Sequence, residues 1–150
     1  MFKGHYINSI NGKGRLSIPS KYREIINEWN SDHLIITKAF ETCLIVFAPD
    51  DWKKLENKAV GLSMIKKADM MFKRHVVGSA EECQIDAQGR ILIPASLREY
   101  ACLNKKCLFV GITNRFEIWD LETYESYTKR MTQEFEESEA LQENLAELGL

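Results

Sequence analysis

The 150-residue chain has no long apolar stretch; its apolar runs end after a few residues, as in CLIVFA at 43–48. A membrane-spanning helix, which needs about 20 such residues, is thereby excluded. The opening MFKGHY at 1–6 lacks the apolar region of a signal peptide, so a cytoplasmic chain is expected. There is no basic excess either. Lys and Arg number 20 against 22 Asp and Glu, a formal net charge of −2, so no global charge announces a nucleic-acid binder. Cysteine is sparse, and Cys43, Cys83, Cys102 and Cys107 contain no C-x-x-C pair. With no export signal they are expected to be reduced, and Cys43 and Cys107 read as small buried residues of strands. His5, His33 and His75 are scattered, which leaves no metal-ligand spacing. No glycine-rich phosphate loop and no nucleophile elbow is present. The expectation is a protein that is not an enzyme and uses no metal, cofactor or small-molecule substrate. A composition 45% hydrophobic and 28% charged is that of a folded chain.

What is present is charge segregation. Residues 1–30 carry Lys3, Lys13, Arg15, Lys21 and Arg23 against Glu24 and Glu28. Residues 53–74 are basic too and read mainly as solvated helix faces. Residues 132–150 hold six glutamates and no basic residue. That tail has an apolar stripe, Leu141, Leu145 and Leu148, able to dock on the domain or on a neighbour or to stay frayed. The opposite charges of the 53–74 segment and the tail could meet between subunits.

The most informative feature is an internal repeat. NGKGRLSIPSKYRE at 11–24 recurs 75 residues later, without a gap, as DAQGRILIPASLRE at 86–99. A looser match relates LIVF at 44–47 to FEIW at 116–119. In the first copy, alternation over 5–10 predicts a strand, NGKG at 11–14 a turn whose two glycines both accept positive φ, and RLSI at 15–18 a second strand. Pro19 at the first helical position opens a helix whose apolar face is Tyr22, Ile25, Ile26 and Trp29. Strands at 34–37 and 43–47 and a helix from Asp50 follow. The second copy repeats the order: strand 82–85, turn 86–89, strand 90–93, a short helix from Pro94, and strands 108–112 and 116–119. Between them Leu62, Ile65, Ala68, Met71 and Phe72 predict one apolar face of a bridging helix. The divisions are therefore 1–60 and 80–130 for the repeats, 61–79 for the bridging helix and 131–150 for the acidic helical tail. Trp29, Trp52 and Trp119 read as core. Neither repeat is long enough to bury a core alone, so the short strands of the two should interleave in one small barrel.

At these residues the chain resembles the MraZ family, bacterial proteins with two copies of the AbrB-type swapped-hairpin fold and an Asp-x-x-x-Arg motif in each. The second copy has the motif as DAQGR at 86–90; the first reads NGKGR at 11–15, with Asn for the usual Asp. MFKG at 1–4, GRLSIP at 14–19 and EIWD at 117–120 also resemble this family, and the likeness covers about residues 1–130. It implies an α+β fold of two pseudo-symmetric AbrB-like swapped-hairpin β-barrel repeats with flanking helices. It also implies a nucleoid-associated transcriptional regulator without catalytic activity. Such a protein binds direct repeats in its own promoter, ahead of the division and cell-wall genes. It assembles as a homo-oligomeric ring whose N-terminal motif meets double-stranded DNA.

The residues give that expectation a chemistry. Arg15 can present its fork to guanine O6 and N7 from a hairpin thin enough for the major groove. Lys13 can reach a base edge or phosphate, while Gly12 and Gly14 allow close backbone approach. Asn11 can accept turn hydrogen bonds but cannot neutralise Arg15. Lys3, Lys21 and Arg23 are candidate phosphate contacts. Asp86, Gln88, Gly89 and Arg90 read as structural, with Asp86 pairing Arg90 across the turn. Two other readings remain: an antitoxin-like DNA-binding protein with a toxin partner, and an oligomeric scaffold that binds no DNA.

Overall fold

The computed structural model describes all 150 residues, in two units, Met1–Asp120 and Leu121–Leu150. In the first unit the elements run β1 (His5–Ser9), β2 (Arg15–Ser17), α1 (Ser20–Asn27), β3 (His33–Lys38), β4 (Leu44–Phe47), α2 (Pro49–Val60) and α3 (Lys67–Phe72). A π-helical turn (Lys73–Val77) leads to β5 (Glu81–Gln84), β6 (Arg90–Leu92), α4 (Ala95–Tyr100), β7 (Lys106–Gly111) and β8 (Phe116–Asp120). The second unit is α5 (Leu121–Glu137) and α6 (Glu139–Glu147). Ser138 caps α6, its hydroxyl accepting from Leu141 N–H at 3.2 Å. No helix is long and apolar enough to cross a membrane.

All pairing is antiparallel; β3 pairs with β4 and β7 with β8 inside each repeat, and the other pairs join the two repeats. Six strands lie in the order β1-β7-β8-β4-β3-β5, and β2 and β6 form a separate pair. Thus β1 of the first repeat pairs with β7 of the second, β5 with β3, β4 with β8, and Leu16 of β2 lies opposite Ile91 of β6. Within each hairpin the two arms are joined by one isolated bridge, Ile10 with Leu16 and Ile85 with Ile91. β1 and β5 form the two edges of the six-stranded ladder.

This exchange builds the core. Leu16, Ile18, Tyr22 and Ile26 from the first repeat join Ile91, Ile93, Leu97 and Ala101 from the second in one buried cluster. Phe2, Tyr22 and Phe116 interlock there, with centroid separations of 4.9–5.0 Å. β3 is buried on both faces: Leu34 and Ile36 enter this cluster, while Ile35 faces a smaller one with Phe47, Trp52 and Val76. Thr37, on the same side as Ile35, donates to the Val76 carbonyl at 2.5 Å. Trp52 and Trp119 are buried, and Trp29 is partly buried against the core. Cys43 and Cys107 are buried as well.

Several local expectations are corrected. Pro19 and Pro94 are the N-cap residues, extended at ψ 140° and 146°, so the helices begin one residue later. Only Pro49 occupies a first helical turn. The bridging segment is not one helix from residue 61. Ser63 Oγ accepts from the N–H groups of Ile65 and Lys66, and Asp69 accepts from Ser63 N–H. That local bonding competes with the helix, which starts only at Lys67. Ile65 is 94% exposed and Met71 48%, and burial passes instead to Phe72 and Val76 through the π-helical turn.

Candidate nucleic-acid interface

Each hairpin tip is built by the same local bonds. In the first, Gly14 N–H donates to the Asn11 carbonyl at 3.0 Å and Asn11 N–H to the Arg15 carbonyl at 3.0 Å. The Asn11 Oδ1 accepts from Lys13 N–H (3.0 Å) and Arg15 N–H (2.9 Å). In the second, Gly89 N–H donates to Asp86, Asp86 N–H to Arg90, and Asp86 Oδ1 accepts from Gln88 and Arg90 N–H, each of these two at 2.9 Å. These are three-residue loops: an ordinary turn followed by one glycine in the left-handed region, Gly14 at φ 90° and Gly89 at φ 75°. Gly12 does not use that freedom, and alanine (Ala87) fills the corresponding place in the second copy.

The tips differ in what their arginines do. Arg90 Nε lies 3.0 Å from Asp86 Oδ2, and its Nη2 donates to Gln88 Oε1 at 2.7 Å. The N–H of Arg90, then its guanidinium, hold the Asp86 carboxyl below the usual carboxylate range. In the first tip an amide stands at residue 11, and the Arg15 guanidinium has no ion pair and no hydrogen bond. Lys13 is exposed beside it.

Each tip rests on the other repeat. Ile93 N–H donates to the Gly14 carbonyl at 2.9 Å, and Ile18 N–H to the Gly89 carbonyl at 3.0 Å. Arg98 covers Gly14, where a Cβ would lie 2.8 Å from its Cζ; Arg23 covers Gly89, where a Cβ would lie 2.5 Å from its Cδ. The Nε atoms of both arginines are buried without a partner. Arg23 therefore stands at the second tip, and Lys21 is exposed on the same helix, α1. Lys3 is at the opposite end of β1, next to Gly111, roughly 25 Å from the first tip by strand rise. Of the candidate residues, the fold brings together Asn11, Gly12, Lys13, Gly14 and Arg15, and sets Lys3, Lys21 and Arg23 apart.

The residues that do flank the first tip come from the second repeat. The Lys105 carbonyl accepts from Ile10 N–H at 2.9 Å, and Lys106 stands opposite Ser9. The matching places beside the second tip are Asp32, whose carbonyl accepts from Ile85 N–H at 2.9 Å, and His33, opposite Gln84. The repeat offset alone could have aligned these pairs, but no local signal says that they lie beside the other copy's turn.

A family model described as "MraZ protein, putative antitoxin-like" matches residues 1–75 and again 76–146. The chain belongs to the MraZ family. The chain is 42% identical to a protein of Caldanaerobacter subterraneus subsp. tengcongensis over 91% of this chain and 93% of that one. It is 43% identical to one of Syntrophobacter fumaroxidans over 85% of each, and 40% identical to one of Thermoanaerobacter sp. over the full length of both. All three relatives are named "Transcriptional regulator MraZ". The two MraZ matches divide the chain between the repeats, after His75 in the π-helical turn.

Proposed function

We propose that this chain is a transcriptional regulator that binds double-stranded DNA through the hairpin at 11–15. The observation that carries this reading is the contrast between two half-buried arginines, Arg15 without a partner and Arg90 tied to Asp86 and Gln88. A free guanidinium on a slender hairpin suits guanine in a major groove, and Lys13 with the tip's backbone suits phosphate. The names of the relatives support the regulatory role.

One tip contacts few bases, so the affinity is weak for one subunit. A ring of copies, aligning several tips with direct repeats in the promoter of its own gene, gains through effective concentration. That promoter stands ahead of the division and cell-wall genes, which places the protein at the nucleoid. The exchanged strand pairs support an AbrB-like swapped-hairpin barrel as the platform. In this reading Lys3, Lys21 and Arg23 touch phosphate only where the DNA or a neighbouring copy passes beyond the tip itself.

The test is a salt titration of binding to a duplex from the protein's own upstream region and to a scrambled duplex, with Arg15→Ala alongside. Loss of the preference at unchanged oligomeric mass supports the assignment; equal binding of both duplexes by both proteins refutes it. The antitoxin-like description of the family favours a second reading, in which a small basic partner co-purifies with the protein.

A further inference from the structure

We infer that the DNA-facing surface is composite, with Lys105 and Lys106 of the second repeat holding the phosphates along one side of the groove that the first repeat's hairpin enters. This rests on the reading of residues 11–15 as the DNA contact.

The argument starts from the strand exchange. Because β1 pairs with β7, the residues that open β7 lie next to the residues that close β1. Ile10, the last residue before the turn, donates to the Lys105 carbonyl, and Ser9 stands opposite Lys106. Both lysines are exposed, and neither forms an ion pair. They stand one strand spacing from β1 and about two, roughly 10 Å, from the strand that Arg15 opens. A major groove is about 12 Å wide. With Arg15 on the groove floor, a lysine side chain at that lateral distance reaches the phosphates of the groove wall on the β7 side. Phosphate contacts of this kind set register and carry no sequence information.

The second tip supplies the internal comparison. Its flanks, at the equivalent places, are Asp32 and His33, and its arginine is already paired. An aspartate beside a phosphate backbone repels it. One chain thus offers a single hairpin dressed for DNA, and both repeats are needed to make it. Arg98 and Arg23 cover the tips alike in both copies, so they are the shared scaffold and not the source of the difference.

The experiment compares wild type, Lys105→Gln/Lys106→Gln, Lys105→Arg/Lys106→Arg and Arg15→Ala on the upstream and scrambled duplexes across a range of salt, with oligomeric mass and thermal melts as controls. The Gln pair is expected to weaken binding to both duplexes about tenfold or more at 0.1 M salt. It should make the slope of log K against log salt shallower by about 2, and keep the preference between duplexes. The Arg pair is expected to restore affinity and slope. If the Gln pair keeps wild-type affinity and slope while Arg15→Ala loses the preference, the composite surface is refuted and the hairpin reading stands. If wild type itself shows no salt-sensitive binding to either duplex, the hairpin reading fails and the composite surface falls with it.

Discussion

Two glycines two residues apart in one turn should respond to alanine with opposite signs. Gly12 lies outside the left-handed region, and a Cβ there would meet nothing within 4 Å. Alanine fills the same position of the second turn as Ala87. Gly12→Ala restricts the unfolded chain without straining the native one, and should stabilise by about 0.4–1 kcal/mol. Gly14 is at φ 90°, where a side chain costs about 1–2 kcal/mol. Its Cβ would also come within 2.8 Å of Arg98 Cζ and Nε. The guanidinium is a flexible end and can move aside, but its cover of the turn is then lost. Nor can the peptide rotate to relieve the strain, because the Gly14 carbonyl accepts from Ile93 N–H. Against the entropy gain, the net effect of Gly14→Ala is a loss of about 1–2 kcal/mol. In urea, with m of about 1–3 kcal/mol/M, the midpoint should rise by a few tenths of a molar for Gly12→Ala and fall by roughly 0.5–1 M for Gly14→Ala. Shifts of the same sign at unchanged m would refute the turn geometry assigned to the first hairpin.

Other outcomes follow from the electrostatics and burial. Asp86 is held below the usual carboxylate range by Arg90, so its contribution is present above the ordinary aspartate pKa and fades as pH falls through the lowered value. Its exposure makes the effect small, and urea midpoints of Asp86→Asn between pH 2 and 5 should lack that acid limb. Glu117 behaves oppositely. Burial raises its carboxyl, although Trp119 Nε1 donates to it at 3.1 Å. Stability should therefore decline as pH rises from the ordinary glutamate pKa through the raised value, and Glu117→Gln should flatten that decline. Burial pushes Cys107 up to about 12 and Cys83 to about 11, and Cys43 is raised by burial as well. Brief alkylation of the native protein should mark exposed Cys102 and spare these three, as peptide mass mapping would show.

Much of the molecule was legible in the residues because the determining interactions are short in sequence. The two turns are closed by bonds spanning two to four residues, and Asn11 or Asp86 with Gly14 or Gly89 at fixed offsets is enough to write them. The apolar face of α1 and the order of strands followed from periodicity. Periodicity failed over 61–66, where the Ser63 and Asp69 side chains bind the backbone and leave Ile65 in water. The position of Arg23 is illegible in the sequence for a different reason. A basic residue near the first turn in sequence belongs to the second turn in space, because α1 crosses to the other repeat.

The sequence by itself determined that there are two hairpins, that each ends in a glycine-bearing turn, and that only the second has a carboxylate to hold its arginine. These are matters of side-chain chemistry and backbone permission within five residues. Tertiary structure decided which surfaces stand beside which tip. Lys105 and Lys106 are 90 or more residues from Arg15, and only the exchange of strands between repeats sets them next to its turn while giving the other turn Asp32 and His33. That exchange is favoured because neither short hairpin can bury its apolar face alone, whereas Leu16 against Ile91, with Ile18 and Ile93 in the same buried cluster, do so together.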